Sequence, residues 1–277
     1  MALRISRDMT LKSPVMLVAF EGWNDAGNSA SSALDHLTDV WDSALHSEID
    51  PEIYYDFQVN RPFITTLENG ERFIEWPTTT IHIARHPKAE HDVVLIRGIE
   101  PNLRWRSYAN EILQVAKDLG VTRLIGIGAL LSEISHNRPI PVIATSNSTE
   151  FLADKNFTES DYSGPTGIIG VIVDTFIRNE IPAASIWAQV PHYVAGTNCP
   201  KATLALLSSI EELLDVAVDL EDLTEAAAEW EKEVDALAAD DEELATYIAQ
   251  LEDTQEPSTD PDSIADEFER YLRRRHQ

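Results

Sequence analysis

At 277 residues the chain is long enough to bury a sizeable core, as one large α/β domain or as a domain with an appendage. Its 48 Asp and Glu outweigh 21 Lys and Arg to give a net charge of -27, which repels a polyphosphate backbone and argues against nucleic acid as a partner. Lone Cys199 excludes an intramolecular disulfide, MALRISRDMTLKSP lacks the apolar core of a signal peptide, and no apolar run approaches the roughly 18 residues of a membrane span, so a cytoplasmic protein without membrane contact is expected.

The first predicted unit, residues 15–37, organises the rest. Six apolar residues, VMLVAF, lead into a glycine-bracketed polar loop and then a small-residue helical run ending near Trp41. Strand, loop and helix in this order set the first strand of a parallel sheet, and place Glu21, Trp23, Asn24 and Asp25 at its carboxyl end, where ligands bind in such folds. The loop has neither G-x-G-x-x-G nor G-x-x-x-x-G-K-[ST]. Two carboxylates in a phosphate's place would oppose it by roughly 1–4 kcal/mol each, so a nucleotide cradle is not expected.

Residues 46–50 and 52–55 read as short strand pieces broken by Pro51. Residues 63–67 and 72–76 flank Asn69-Gly70, the signal of a type I′ hairpin turn, and 79–84 add a further strand; these antiparallel pieces are expected at one side of the main sheet. Residues 91–97 carry a VVLI centre suited to burial on both faces. Trp105, Tyr108, Ile112, Val115 and Leu119 then form a helical stripe stopped by Gly120. Residues 122–127 form the next strand, 142–144 return to the sheet, and Ser148 starts a short helix. Gly164 to Gly167 opens an apolar helix over about 168–178, with Thr166 as its expected N-cap. Residues 184–189 form the last strand, and Pro200 starts an apolar helix over 201–216. The alternation predicts an α/β body with a mostly parallel sheet between helices.

From residue 211 onward 23 acidic residues face 5 basic ones, a net of -18 that leaves -9 for the rest and marks a change of architecture. The expected division is an α/β core over 1–216 and an acidic helical region over 217–277. Leu213, Val216, Leu220, Leu223, Ala227, Trp230, Val234 and Leu237 step by threes and fours, and Leu244, Ile248 and Leu251 continue the phase beyond Asp241. Asp240-Asp241-Glu242-Glu243 reads as an N-cap with acids in a first turn, which predicts a helical hairpin with those apolar residues mostly buried. A proline-containing linker over 255–261 and a short amphipathic helix with Ile264, Phe268 and Leu272 complete the chain.

Few constellations carry chemistry. Glu133 and His136 would share a face on a helical turn, as an acid–base or metal pair, whereas on a loop they would satisfy backbone groups, and the structural reading weighs more. No H-E-x-x-H accompanies them, so no metal ligand set is assigned. The Gly164, Thr166 and Gly167 turn either presents amides to an anion or simply permits a tight helix entry; the second is preferred because Pro165 removes a donor. Cys199 at a helix start is read as a buried small residue rather than a nucleophile. His192 and Tyr193 either join the sheet-edge loops or seal a core. No G-x-S-x-G elbow is present, and no catalytic residue is assigned.

Taken together, Ala19-Phe20-Glu21-Gly22-Trp23-Asn24-Asp25-Ala26-Gly27, Gly128-Ala129-Leu130-Leu131-Ser132-Glu133, His136-Asn137-Arg138-Pro139, Gly164-Pro165-Thr166-Gly167 and Pro191-His192-Tyr193 resemble the proteasome assembly chaperone 2 family, in a bacterial branch. The resemblance covers about residues 12–216. It implies a phosphorylase/hydrolase-like three-layer α/β/α sandwich, a protein partner and a homo-oligomer, with a trimer favoured. Members that assist proteasome assembly dock on the α-ring, in several cases through a carboxyl-terminal hydrophobic-Tyr-X tail; here Tyr271 is followed by Arg273, Arg274 and Arg275, a different ending. The family supplies no catalytic set and no cofactor, so its loops enter as candidate binding residues: Glu21, Trp23, Asn24, Asp25, Glu133, His136, Arg138, Gly164, Thr166, Gly167, His192 and Tyr193. Two functions follow as expectations, a protein-binding module of the assembly-chaperone type and, as the alternative, a small-molecule enzyme of hydrolase or phosphorylase type at the carboxyl edge of the sheet.

Overall fold

The computed structural model describes residues 10–67, 69–85, 90–146, 158–159 and 163–254. Strand β1 (Val15–Glu21) lies at the centre of the main sheet, between β6 (Val93–Ile99) and β7 (Arg123–Ser132), parallel to both. Strand β10 (Ala183–Pro191) extends the parallel set beyond β7. Four central parallel strands are flanked by antiparallel ones: β5 (Thr79–Ala84) and β2 (Ala44–Ile49) on one side, β8 (Val142–Ser146) on the other, with the two-residue β9 (Thr158–Glu159) pairing parallel to β8. The fold is α/β, with a mostly parallel sheet.

Burial on both faces explains why β1 is apolar without alternation. Val15, Leu17 and Ala19 enter one hydrophobic cluster with helices α1 (Ser29–Val40) and α4 (Pro200–Leu214), while Met16, Val18 and Phe20 enter another with α2 (Trp105–Leu119) and α3 (Ile168–Arg178). Helix α2 ends where Gly120 takes a left-handed φ of 71°. Tyr108, fully buried, meets Phe20 and Tyr54 edge-on at 5.9 and 5.0 Å.

Several expectations need correction. Residues 52–55 are not a strand: Pro51 opens a 3₁₀ turn (Pro51–Ile53), capped by the Asp50 carboxylate accepting from the Glu52 amide. Strands β3 (Phe63–Thr66) and β4 (Arg72–Glu75) do form a hairpin, but as a ribbon separate from the main sheet. Its turn is not type I′. Gly70 has φ 84° whereas Asn69 is not left-handed, and the Gly70 amide donates to the Leu67 carbonyl while Leu67 pairs with Glu71, the pattern of a three-residue loop with a bulge.

The acidic region forms two helices, α5 (Glu221–Asp240) and α6 (Glu242–Thr254), broken at extended Asp241, whose carboxylate caps α6 by accepting from the Glu243 and Leu244 amides. The hairpin is not a free-standing appendage: Leu220, Trp230 and Val234 join the same hydrophobic cluster as β1, α1 and α4. Leu213 belongs to α4, which ends at left-handed Asp215, so the seam does not run unbroken through it. Leu237, expected inside, is 60% exposed, and Ala238 is buried instead. Buried positions 227, 230, 234 and 238 advance by roughly 3.7 residues per step, close to a straight helix and unlike a 3.5-residue heptad, so the seam drifts by one position. The expected helix at Ser148, the 255–261 linker and the final helix with Ile264, Phe268, Leu272 and Tyr271 lie outside the described residues.

Candidate functional site

The polar loop after β1 is held from several directions. Gly22, at φ 111°, turns the chain, and the Ala129 amide of β7 donates to the Asn24 carbonyl, which extends the β1–β7 pairing into the loop. Helix α1 starts behind left-handed Asn28 with no cap from that side chain. Asp25 supplies the acceptor instead: its Oδ1 takes hydrogen bonds from the Ala30 amide at 2.6 Å and the Ser31 amide at 3.3 Å, a carboxylate at the positive end of a helix. Its Oδ2 is buried, with no surface open to solvent. Burial pushes the Asp25 carboxyl above its ordinary value, against the lowering effect of Ser31 and those amides.

The start of α3 is built on a carboxylate not singled out in the sequence. Glu100, just past β6, accepts from Asn24 Nδ2 at 2.7 Å and from the Ile168 amide at 2.8 Å, both through Oε1. The first turn of α3 therefore already faces an anion from its own chain. Gly167, not Thr166, is the N-cap, and a Cβ there would sit 2.0 Å from Asn24 Oδ1. Asn24 is fully buried, so closeness of the two loops accounts for the glycine.

A cleft of about 880 Å³ opens beside these loops. Trp23, Asp25, Thr166 and Gly167 line it, together with Leu130, Leu131, Ile143, Val173 and Trp187. The Trp187 indole lies against Gly128, whose missing Cβ would fall 2.4 Å from the ring. Asn24 stands behind the wall, and Glu21 is tied at 2.8 Å to Arg97, which also pairs with Asp35 of α1. Gly164 is exposed and does not line the cleft.

The remaining predicted residues gather elsewhere, under α5 and α6. Glu133 and His136 do not share a helical turn: the segment is a loop, with Glu133 exposed and His136 fully buried. The Tyr193 hydroxyl accepts from the His136 amide at 2.7 Å and lies 2.8 Å from Nδ1, so in the neutral ring it donates to Nδ1 and leaves Nε2–H for the Asp235 carboxylate at 3.1 Å. Trp230 meets the same ring edge-on at 6.3 Å. Glu252 of α6 accepts from Ser135 Oγ and Asn137 Nδ2 at 2.9 and 2.7 Å, and Arg138 donates to its main-chain carbonyl at 2.6 Å. Lys201 bridges the His136 carbonyl and Glu231, and His192 and Tyr193 pack against Tyr247. This knot joins the loop after β7 to both carboxyl-terminal helices, and it converts the expected single sheet-edge site into a cleft and a docking point.

Cys199 is buried against the Gly27 carbonyl, and burial pushes its thiol up to about 11, the condition of an inert core residue. Among the described residues no group of three His, Cys, Asp or Glu could hold a metal, and no helix is long and apolar enough to cross a membrane.

Comparisons place this architecture. A PAC2 family protein from Streptomyces avermitilis is 46% identical, with a TM-score of 0.79, and the match covers 84% of this chain and 99% of that one. A proteasome-assembly chaperone homologue from Mycobacterium tuberculosis is 44% identical, with a TM-score of 0.77 over the same shares. An archaeal proteasome activator from Pyrococcus furiosus shares the fold at 16% identity, with a TM-score of 0.67 over 82% of this chain and 94% of that one. No curated protein matches. The model of the PAC2 family matches residues 19–238, and the chain belongs to the PAC2 family.

Proposed function

We propose that the chain is a protein-binding module resembling proteasome assembly chaperones, and that it works as a homo-oligomer, with a trimer favoured. The observation that carries this reading is the β3–β4 ribbon. Directly opposed residues of an antiparallel pair share a face, so Ile64 and Ile74 stand on one face while Phe63 and Phe73 stand on the other. Phe63 is 73%, Ile64 62% and Ile74 54% exposed. A free two-stranded ribbon is marginal in water, and apolar side chains on both its faces need a cover. A second copy of the chain suits it: the body is strongly acidic and repels itself, whereas residues 59–76 carry two arginines against three glutamates. Each large side chain covered would contribute about 1.5–3 kcal/mol. The kinship with the mycobacterial chaperone homologue supports the same reading.

Light scattering tests it. A multimer at micromolar concentration that falls to a lower mass in Phe63→Ser/Ile74→Ser, with unchanged circular dichroism, is the expected result. A wild-type monomer, or a double variant of unchanged mass, would sink it.

A further inference from the structure

We propose that Asn69-Gly70, at the tip of the β3–β4 ribbon, is a self-modifying site: the folded chain converts Asn69 to aspartate and isoaspartate, and the charge gained loosens association through the ribbon. The second clause rests on the association reading, whereas the first stands without it. Asn69-Gly70 is the one Asn-Gly pair among the eleven asparagines of the chain. Both residues are exposed, and a Cβ on Gly70 would meet nothing within 4 Å, so nothing shields the Gly70 nitrogen from the side chain before it. The Glu71 amide donates to Asn69 Oδ1 at 2.9 Å, which folds the side chain back over its own backbone and sets a donor on the oxygen that gains charge when the amide is attacked. The Glu71 carboxylate accepts from Nδ2 at 3.5 Å. One bond has to open, from the Gly70 amide to the Leu67 carbonyl at 2.9 Å. It lies at the end of a two-stranded ribbon outside the main sheet, where local opening costs little.

The reaction needs only hydroxide and water. Hydroxide takes the Gly70 amide proton, the nitrogen attacks Asn69 Cγ and closes a ring, and the Cγ–Nδ2 bond breaks; Nδ2 takes a proton from water and leaves as ammonia, which restores the hydroxide. Water then opens the succinimide. Cleavage of the ring nitrogen's bond to Cγ leaves aspartate, and cleavage of its bond to the Asn69 main-chain carbonyl carbon leaves isoaspartate. In sum an amide and water become a carboxylic acid and ammonia, with nothing oxidised or reduced. Residues 59–76 carry two arginines and three glutamates, and either product makes them more acidic by one charge. Isoaspartate also lengthens the main chain of the loop, against the Leu67–Glu71 pairing that closes it. Copies meeting through the ribbon would then repel one another more strongly.

Full-length protein is aged in mildly alkaline heavy-oxygen water, folded and in urea, and the peptide spanning residue 69 is read by mass spectrometry. Folded wild type should take up label at Asn69 within about tenfold of the rate in urea, since only the ribbon tip has to open. Asn28-Ser29, whose second residue is fully buried at the start of α1, should stay unlabelled in the folded protein. Asn69→Ser keeps an acceptor for the Glu71 amide but has no side-chain amide to lose, and should stay unlabelled at that peptide. In light scattering on dilution, aged wild type should dissociate at a concentration roughly tenfold above that of aged Asn69→Ser. A folded rate more than about tenfold below the rate in urea would overturn the proposal, as would label at the same peptide of Asn69→Ser. Equal dissociation of converted wild type and Asn69→Ser would overturn its second clause. Fresh wild type that is already a monomer would sink the association reading and that clause with it, while the labelling would still decide whether Asn69 is converted.

Discussion

Gly167→Ala isolates the contact that closes the loop after β1 on the start of α3. Its backbone, at φ -91° and ψ -173°, is open to alanine, so no torsional strain enters. The new Cβ would stand 2.0 Å from Asn24 Oδ1, 2.7 Å from Cγ and 2.8 Å from Nδ2. Asn24 has no easy retreat: it is fully buried, its amide is bonded to Glu100 at 2.7 Å and its carbonyl accepts from Ala129 at 2.8 Å. Overpacking of this kind costs about 1–3 kcal/mol. If Asn24 swings aside instead, Glu100 and the first turn of α3 lose a buried partner, at about 1–3 kcal/mol. The expected loss is therefore about 1–3 kcal/mol if only one of these happens, and more if both do. Urea unfolding of wild type, Gly167→Ala, Asn24→Ala and the double variant measures it as a cycle. In the Asn24→Ala background the amide is gone, so Gly167→Ala should cost less than half its value alone. An equal cost in both backgrounds would refute the steric argument.

The docking of α6 should loosen in acid. Hydrogen bonds from Asn137 and Ser135 hold the Glu252 carboxyl below its ordinary value of 4.5, so its contribution is complete above that pH and is lost as pH falls through the lower folded value. Pepsin cleavage within residues 242–254, normalised at each pH to cleavage of an unstructured reference peptide, should rise between about pH 5 and 3 in wild type, and the normalised cleavage of Glu252→Gln should depend much less on pH. Cys199 should resist a thiol reagent at pH 8 in the native state and react within seconds in urea, because it is both buried and poorly ionised; rapid native reaction would contradict that account.

How much of this was legible beforehand depended on distance along the chain. The β1 run and α3 were placed closely because their signals are local: an unbroken apolar run, and an apolar helix opening after a glycine turn. Asn69-Gly70 marked the hairpin correctly, yet two residues could not fix whether the loop held two or three, and the ribbon's separation from the main sheet has no local signature. Glu100 was missed because its partners Asn24 and Ile168 lie 76 and 68 residues away. His136 looked like a candidate for chemistry because the partner that explains it, Asp235, is 99 residues further on. The Leu237 error has a different origin, since a heptad was imposed on a helix that packs against a broad surface at its natural period.

The central place of β1 has a consequence for how the protein is made. Val15 pairs with Val93 on one side and Arg123 on the other. At a synthesis rate of about 5–20 residues per second, the first partner emerges roughly 4–16 s after β1, and the second later still. During that interval VMLVAF is an unpaired, uncharged strand with two edges open, attached to a ribosome. Nascent chains of this protein are thus most vulnerable to aggregation before β6 arrives, and a pause in translation between residues 21 and 93 would prolong the hazard.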